Sequence, residues 1–248
     1  MIKPIIEMRG ISKNFGAIQA LENVDLELMP HEVLGLVGDN AAGKTTLMKI
    51  LCGRYIPSSG RIYMEGKKLD IFSPFDARKV GIETVYQDLA LADNLDVTAN
   101  IFLGKESLRG GLNQYFKVMD VKRMREKARR IIEKLELEEL DITRKVRNLS
   151  GGQRQVVAIA RAISFNPKVL IMDEPTASLA ISKVSRVLEL VKRFRKENIL
   201  VIYIGHRLQE IFQIADRVMI LRRGKNIGTY KTSEISMDEV IKLIIGEH

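Results

Sequence analysis

At 248 residues, 46% of them hydrophobic and 29% charged, the chain has the composition of a folded globular protein, long enough for one large core or a core with a subdomain. Its apolar runs, Ile199–Ile204 among the longest, are too short to span a bilayer, Met1–Glu7 has no signal-peptide apolar region, and a single cysteine, Cys52, excludes an internal disulfide. The expectation is a protein that neither inserts in a membrane nor leaves the cytosol by itself; its net charge of +9 would suit nucleic acid or an anionic surface, yet 40 basic residues interleave with 31 acidic ones.

In chain order, the first elements read as strands: Ile5–Ile11, Val24–Leu28, Val33–Val37 and Arg61–Met64. Cys52 falls on a helix after Val37 and serves its packing. From about Leu89 to Phe165 the pattern is mostly helical, interrupted by a Gly-rich loop near Gly104–Gly111. Within that block Lys122–Arg130 is densely charged, but its helix carries an apolar stripe of Met124, Ala128, Ile131, Ile132 and Leu135. Its charges therefore read as a solvated face, with no aromatic residues alternating as a nucleic-acid stacking platform requires. From Val169 strands and helices alternate: Val169–Met172, a helix over Ser182–Lys196, Ile199–Ile204, a short helix, and Val218–Leu221. Apolar β-branched runs separated by amphipathic helices predict an α/β fold with a mainly parallel core sheet covered on both faces. The antiparallel-looking start predicts a β subdomain, and the middle block an inserted α-helical subdomain.

Three motifs carry chemistry. Gly38-Asp39-Asn40-Ala41-Ala42-Gly43-Lys44-Thr45 spells G-x-x-x-x-G-K-[ST], between the strand Val33–Val37 and a helix continuing through Thr46–Leu51. Alone it is a Gly-rich turn. Between strand and helix it is a phosphate loop, because backbone N–H groups of the loop and helix start converge on one point and favour an anion. Lys44 would reach the β- and γ-phosphates of ATP or GTP, and the Thr45 hydroxyl would ligate Mg²⁺. In the second motif, Val169–Met172 delivers Asp173 and Glu174 at the C-terminal edge of a buried strand, where ligands bind in open α/β sheets. Such a pair can merely cap the next segment. After a phosphate loop, Asp173 reads as a Mg²⁺ holder through water and Glu174 as general base for an attacking water. The third motif is Leu149-Ser150-Gly151-Gly152-Gln153-Arg154-Gln155: Ser150 is an N-cap type, and two glycines expose amides at a helix start, a second anion site.

Together and in this order, these segments resemble the nucleotide-binding subunit of an ABC transporter over essentially the whole chain, as a single P-loop NTPase cassette. The resemblance implies one ATP-binding domain over residues 1–248, with core and β subdomain at about 1–88 and 166–248 and the helical subdomain at about 89–165. It makes Ser150, Gly151, Gly152 and Gln153 the signature that grips γ-phosphate in a second, head-to-tail cassette. It makes Gln87 of Val85-Tyr86-Gln87-Asp88 the Q-loop residue that senses Mg²⁺ and the membrane partner, and His206 the switch histidine. Phe15 becomes the adenine platform, although an aromatic at a strand end is usually core packing. With ATP bound by Phe15, the loop Gly38–Thr46 and the partner signature, hydrolysis would weaken the dimer. Three departures stand out. Ala41 occupies a position that is usually glycine, where a Cβ fits if φ stays negative; Gly205 replaces a frequent serine; Ala180 ends Thr176-Ala177-Ser178-Leu179-Ala180 where aspartate is common, which puts cross-talk between the two sites in doubt.

Val85–Val97, Ile101–Gly104 and Ile235–Ile241 further resemble the simple-sugar importers of the ribose, xylose and fructose type. The implied protein is an ATPase on the cytoplasmic face of the membrane, a homodimer under transmembrane permease subunits fed by a sugar-binding protein, with Leu89–Asn100 forming the groove for the permease. Alternatives are a cassette for another small solute, or a soluble ABC ATPase acting on nucleic acid or ribosomes. No long coiled coil lies between Lys44 and Asn148 and no second cassette is present, so no nucleic-acid partner is expected. A non-hydrolysing regulatory cassette is disfavoured by Glu174.

Overall fold

The structure, a computed structural model, describes residues 3–110, 117–177 and 179–247; Gly111, which ends the expected Gly-rich loop, and Ser178 lie outside them. The strands are β1 (Ile6–Phe15), β2 (Ile18–Leu28), β3 (Val33–Val37), β4 (Ser59–Met64), β5 (Lys67–Leu69), β6 (Ile82–Val85), β7 (Leu108–Gly110), β8 (Lys117–Met119), β9 (Val169–Asp173), β10 (Leu200–Ile204), β11 (Arg217–Arg222) and β12 (Lys225–Lys231). The helices are α1 (Lys44–Leu51), α2 (Pro74–Lys79), α3 (Val97–Phe102), α4 (Val121–Leu135), α5 (Gly151–Ser164), α6 (Ile181–Lys196), α7 (Leu208–Ile214) and α8 (Met237–Ile245). Two compact units divide them: one holds the chain up to Thr84, Pro167–Glu174 and the chain from Leu188; the other holds Val85–Asn166 and Pro175–Val187.

The first unit carries two sheets. One is antiparallel, ordered β2-β1-β4-β5; the other runs β12-β11-β3-β10-β9-β6, with β11, β3, β10 and β9 parallel and β12 antiparallel at its edge. Every residue of β3, β9 and β10 is buried, so both faces of the sheet are covered, as continuous apolar runs require. Ile204 pairs with Leu36 on one side and Asp173 on the other, which brings the ends of β3, β9 and β10 to one edge. Buried Glu32, just ahead of β3, is held by Arg217, which forks onto it at 2.5 and 3.1 Å, and by the Met29 N–H at 2.5 Å. Cys52 is buried and terminates α1, its thiol 3.6 Å from the Lys49 carbonyl.

The second unit is built on α3, α4 and α5, each started by a side-chain cap: Asp96, Asp120 and Ser150. Met124, Ala128, Ile132 and Leu135 of α4 are buried as the stripe predicts, with Ile131 half-buried. The mostly helical expectation omits the ribbon β7–β8, and the chain-order reading also omits α2, β5, β6, β12 and α8. Those strands are short or polar, as in Lys-Lys-Leu for β5 and a β12 rich in Lys, Asn and Gly, and exist by pairing with distant neighbours rather than by their own pattern.

Candidate functional site

The phosphate loop leaves β3 at Gly38, whose φ is 150° and where a Cβ would lie 2.1 Å from the Leu221 carbonyl oxygen. It reaches α1 at Gly43, φ 103°, where a Cβ would lie 2.7 Å from Leu21. No side chain fits either place. Ala41 between them takes φ 61°, which corrects the expectation of a negative value. The loop closes through Ala42 N–H to the Asp39 carbonyl (3.1 Å) and Gly224 N–H to the Ala42 carbonyl (3.0 Å), and that curl demands a left-handed residue at 41; the position is exposed, so a methyl is accommodated. Asp39 Oδ1 accepts the Asn40 N–H at 2.7 Å. Lys44 is buried, and its ammonium donates to the carbonyls of Gly38 (2.7 Å) and Asp39 (2.9 Å). Burial lowers its pKa, opposed by the negative charges of Glu174, Asp173 and Asp39. Thr45 is exposed and Thr46 half-buried on the first turn of α1.

Asp173, at the end of β9, is 8% exposed, and burial followed by the neighbouring Glu174 charge raises its carboxyl pKa, partly offset by Lys44, Lys49 and His206. Glu174 turns out of the strand with φ 51°, its N–H held by the Ile204 carbonyl at 3.0 Å. A non-glycine residue held in that region marks a constrained turn. His206 Nε2 lies 2.6 Å from Glu174 Oε1; with Glu174 ionised, the shared proton is on Nε2. A Cβ on Gly205 before it would stand 3.1 Å from the Tyr203 ring, a tight approach that the ring would have to ease by a few tenths of an ångström. Tyr203 is fully buried and donates to Glu210 (2.9 Å), which also accepts from Arg207 (3.1 Å), so the residues around His206 are tied to α7. Phe15 ends β1 outside the core, 42% exposed, edge-on to Tyr55 with ring centres 5.2 Å apart. A cavity of about 450 Å³ opens beside Gly38, Asp39, Asn40 and His206 against α8.

The second unit holds the other motifs. Ser150 caps α5: its hydroxyl accepts from Gln153 N–H (3.2 Å) while Gln153 Oε1 accepts from Ser150 N–H (3.1 Å), a reciprocal capping box. Gly152 follows with Leu179 and Lys183 packed beneath it. Gln87 is exposed in the turn after β6, and Ala180 is exposed ahead of α6. Sequence reasoning missed Arg161, which donates to the carbonyls of Leu89 (2.8 Å) and Ala90 (2.6 Å), two residues with φ of 56° and 46°. The available signal was an arginine inside the apolar run Val156–Ile163.

Among the described residues no group of three His, Cys, Asp or Glu could cage a metal. A single buried carboxylate whose burial opposes its ionisation, with a threonine hydroxyl on the facing loop's helix, instead fits a hard cation that keeps waters and takes phosphate oxygens. No helix among the described residues is long and apolar enough to cross a membrane.

The profile of the ABC transporter family matches residues 21–177. The chain is 42% identical to the xylose/arabinose import ATP-binding protein XylG of Sulfolobus acidocaldarius over 97% of its own length and 93% of that protein's. It is 44% identical to the ribose import ATP-binding protein RbsA of Caldanaerobacter subterraneus over 99% of its length, but spans only 48% of that relative. Against the fructose import ATP-binding protein FrcA of Rhizobium meliloti it is 39% identical over 98% of itself and 95% of the relative. Among solved structures, the ADP conformation of an ATP-binding cassette of an ABC transporter superposes with a TM-score of 0.81 at 29% identity, covering 98% and 99% of the two chains. A second cassette, dimeric in a post-hydrolysis state with ADP and Pi, superposes with a TM-score of 0.78 at 26% identity over 92% and 98%. A profile match over more than half of the chain, with relatives about 40% identical along nearly their whole length, shows that the chain belongs to the ABC transporter family.

Proposed function

We propose that the chain is the ATP-hydrolysing subunit of a sugar importer, working as a dimer on the cytoplasmic face of the membrane against permease subunits that a sugar-binding protein loads. The relatives named for ribose, xylose/arabinose and fructose import support a monosaccharide cargo. The observation that carries the reading is the edge where Gly38–Lys44, Asp173, Glu174 and His206 meet, with Glu174 and His206 in contact at 2.6 Å.

In this reading the amides of Gly38–Thr46 and the Lys44 ammonium bind the β- and γ-phosphates, exchanging the two carbonyls Lys44 now holds for phosphate oxygens. Phe15 offers an exposed ring to adenine. Thr45, Asp173 and Gln87 would hold Mg²⁺, which when bound neutralises charge on the phosphates. Glu174 takes a proton from water as its oxygen bonds the γ-phosphorus and the bond to the ADP oxygen breaks, giving ADP and phosphate. His206, whose Nε2 now lies against Glu174, would exchange that contact for the γ-phosphate and leave Glu174 free to take the water proton. Ser150 and Gly152 of a second copy donate to the same γ-phosphate, so ligand and dimer are linked.

ATPase assays with and without Mg²⁺ test this. Glu174→Gln should lower turnover at least about a hundredfold while ATP still binds, and Lys44→Ala should abolish binding. Undiminished hydrolysis in Glu174→Gln would remove that residue from the base role. Transport assays in reconstituted permease, with pentoses and hexoses against other small solutes, decide the cargo.

A further inference from the structure

We propose that the ribbon β7–β8 and the helix it feeds, α4, form a docking surface for the headgroup layer of an anionic lipid bilayer. The inference rests on the peripheral location proposed above, but on different residues. Helix α4 carries seven basic and two acidic side chains, more than half of the chain's net charge of +9 on fifteen residues. Lys122, Arg123, Arg125, Lys127, Arg129 and Arg130 are all exposed, and none has an ion-pair partner among the described residues. Glu126 and Glu133 are likewise exposed and have no ion-pair partner among the described residues, so those six cations are not neutralised within the helix. Some cations elsewhere do find acids, as Arg217 does with Glu32, Lys183 with Glu138 and Arg195 with Asp216; what sets α4 apart is six exposed, acid-free cations on one short helix.

The arrangement is also linear. Arg123, Lys127, Arg130 and Lys134 recur at i, i+4, i+7 and i+11, one side of the helix, a ridge about 16 Å long. At its N-terminal end stand four exposed aliphatic side chains: Leu108 (48%), Val118 (49%), Met119 (53%) and Val121 (43%). Leu108 and Met119 are cross-strand partners on one face of the ribbon, with Val118 on the other. The Asp120 N–H to the Ser107 carbonyl (2.7 Å) and the Asp120 cap on Arg123 (3.0 Å) fix the ribbon's base to the first turn of α4. A two-stranded ribbon exposing apolar side chains on both faces is poorly served by water. Lipid accounts for both halves of the surface: anionic headgroups for the ridge, the acyl boundary for the aliphatic cluster at its N-terminal end. Nucleic acid would satisfy the ridge alone. Because the apolar stripe of α4 is itself buried, the helix lies against the surface rather than half-immersed in it.

Co-sedimentation of the purified chain with phosphatidylcholine vesicles, with and without phosphatidylglycerol, tests the proposal, with ATPase activity measured on the same samples. Binding should require phosphatidylglycerol and weaken with salt. Arg123→Glu/Lys127→Glu/Arg130→Glu should weaken it about a hundredfold, at roughly fivefold per cation. A control of equal charge, Lys67→Glu/Lys68→Glu/Lys196→Glu, should change it less than about threefold. Val118→Ser/Met119→Ser, neutral in charge, should weaken it about tenfold. Should the triple reversal unfold, Arg123→Gln/Arg130→Gln reads the same loss at smaller amplitude. Equal losses in the two charge reversals, no loss with the serines, or preferential binding of duplex RNA would each overturn the proposal. Vesicle binding without hydrolysis would sink the proposed function and spare this surface; hydrolysis without binding does the reverse.

Discussion

Asp173 is where stability and chemistry pull apart. Its folded pKa lies above its unfolded one because burial, then Glu174, disfavours the charge. Such a group favours the folded state at acid pH, and that contribution is lost as pH rises through the unfolded value towards the folded one. At neutral pH the buried carboxyl therefore costs stability. Asp173→Asn should raise the thermal stability of the nucleotide-free protein by about 1 kcal/mol at neutral pH, the gain vanishing below about pH 4. Thermal unfolding across that range checks it, and a less stable Asp173→Asn at neutral pH would contradict the burial argument. Ala41 poses a second residue-level question. A left-handed alanine costs on the order of 1 kcal/mol, so Ala41→Gly should be neutral to slightly stabilising in denaturant unfolding, and β-branched Ala41→Val should lose about 2 kcal/mol. The letters of Gly38–Thr45 announced a phosphate loop, but the sign of one φ did not follow from them: it is set by the hydrogen bonds of Ala42 to Asp39 and Gly224, and residue 224 is far along the chain.

Among elements, α5 carries more than its cap. The expected pattern, Ser150 as N-cap before two glycines, is local and was legible; the Gln153 half of the capping box follows from the same spacing. Its other end reaches Leu89 and Ala90 through Arg161, a contact across 71 and 72 positions that no local pattern contains. Both carbonyls belong to a turn with consecutive left-handed residues, two positions after Gln87. Removing the guanidinium leaves that turn without its two donors, a loss of about 1–2 kcal/mol from that loop alone. Arg161→Ala should raise amide exchange over residues 86–95 roughly tenfold while α5 stays protected, as hydrogen-exchange mass spectrometry would read. Uniform exchange in that loop would deny Arg161 a positioning role. The buried strands β3, β9 and β10 were equally legible, because an all-apolar run needs no partner to be recognised; β5, β12 and the ribbon β7–β8 were not, since their residues are strands only by virtue of what lies beside them.

At the scale of the whole molecule, the two segments proposed to bind phosphate fall in different compact units, Gly38–Thr46 in one and Ser150–Gln153 in the other. The composite site proposed above would use both: each copy would bring a loop that binds phosphate and a signature that completes its partner's loop. The proposal makes a sharp demand on mixtures. Lys44→Ala should fail at its own loop but keep a working signature; Ser150→Arg should place a cation and a bulky side chain at the helix start, spoiling the partner's site while sparing its own loop. Neither variant alone should hydrolyse ATP. Mixed at equal concentration, half of the dimers are heterodimers on random pairing, and in each of these one of two sites joins an intact loop to an intact signature. Activity should return to about a quarter of wild type. The measurement is steady-state ATPase activity against mixing ratio, with each variant's fold verified by thermal unfolding. A flat, inactive profile from two folded variants would mean that loop and signature do not act across chains, and the dimer would lose its mechanistic reason.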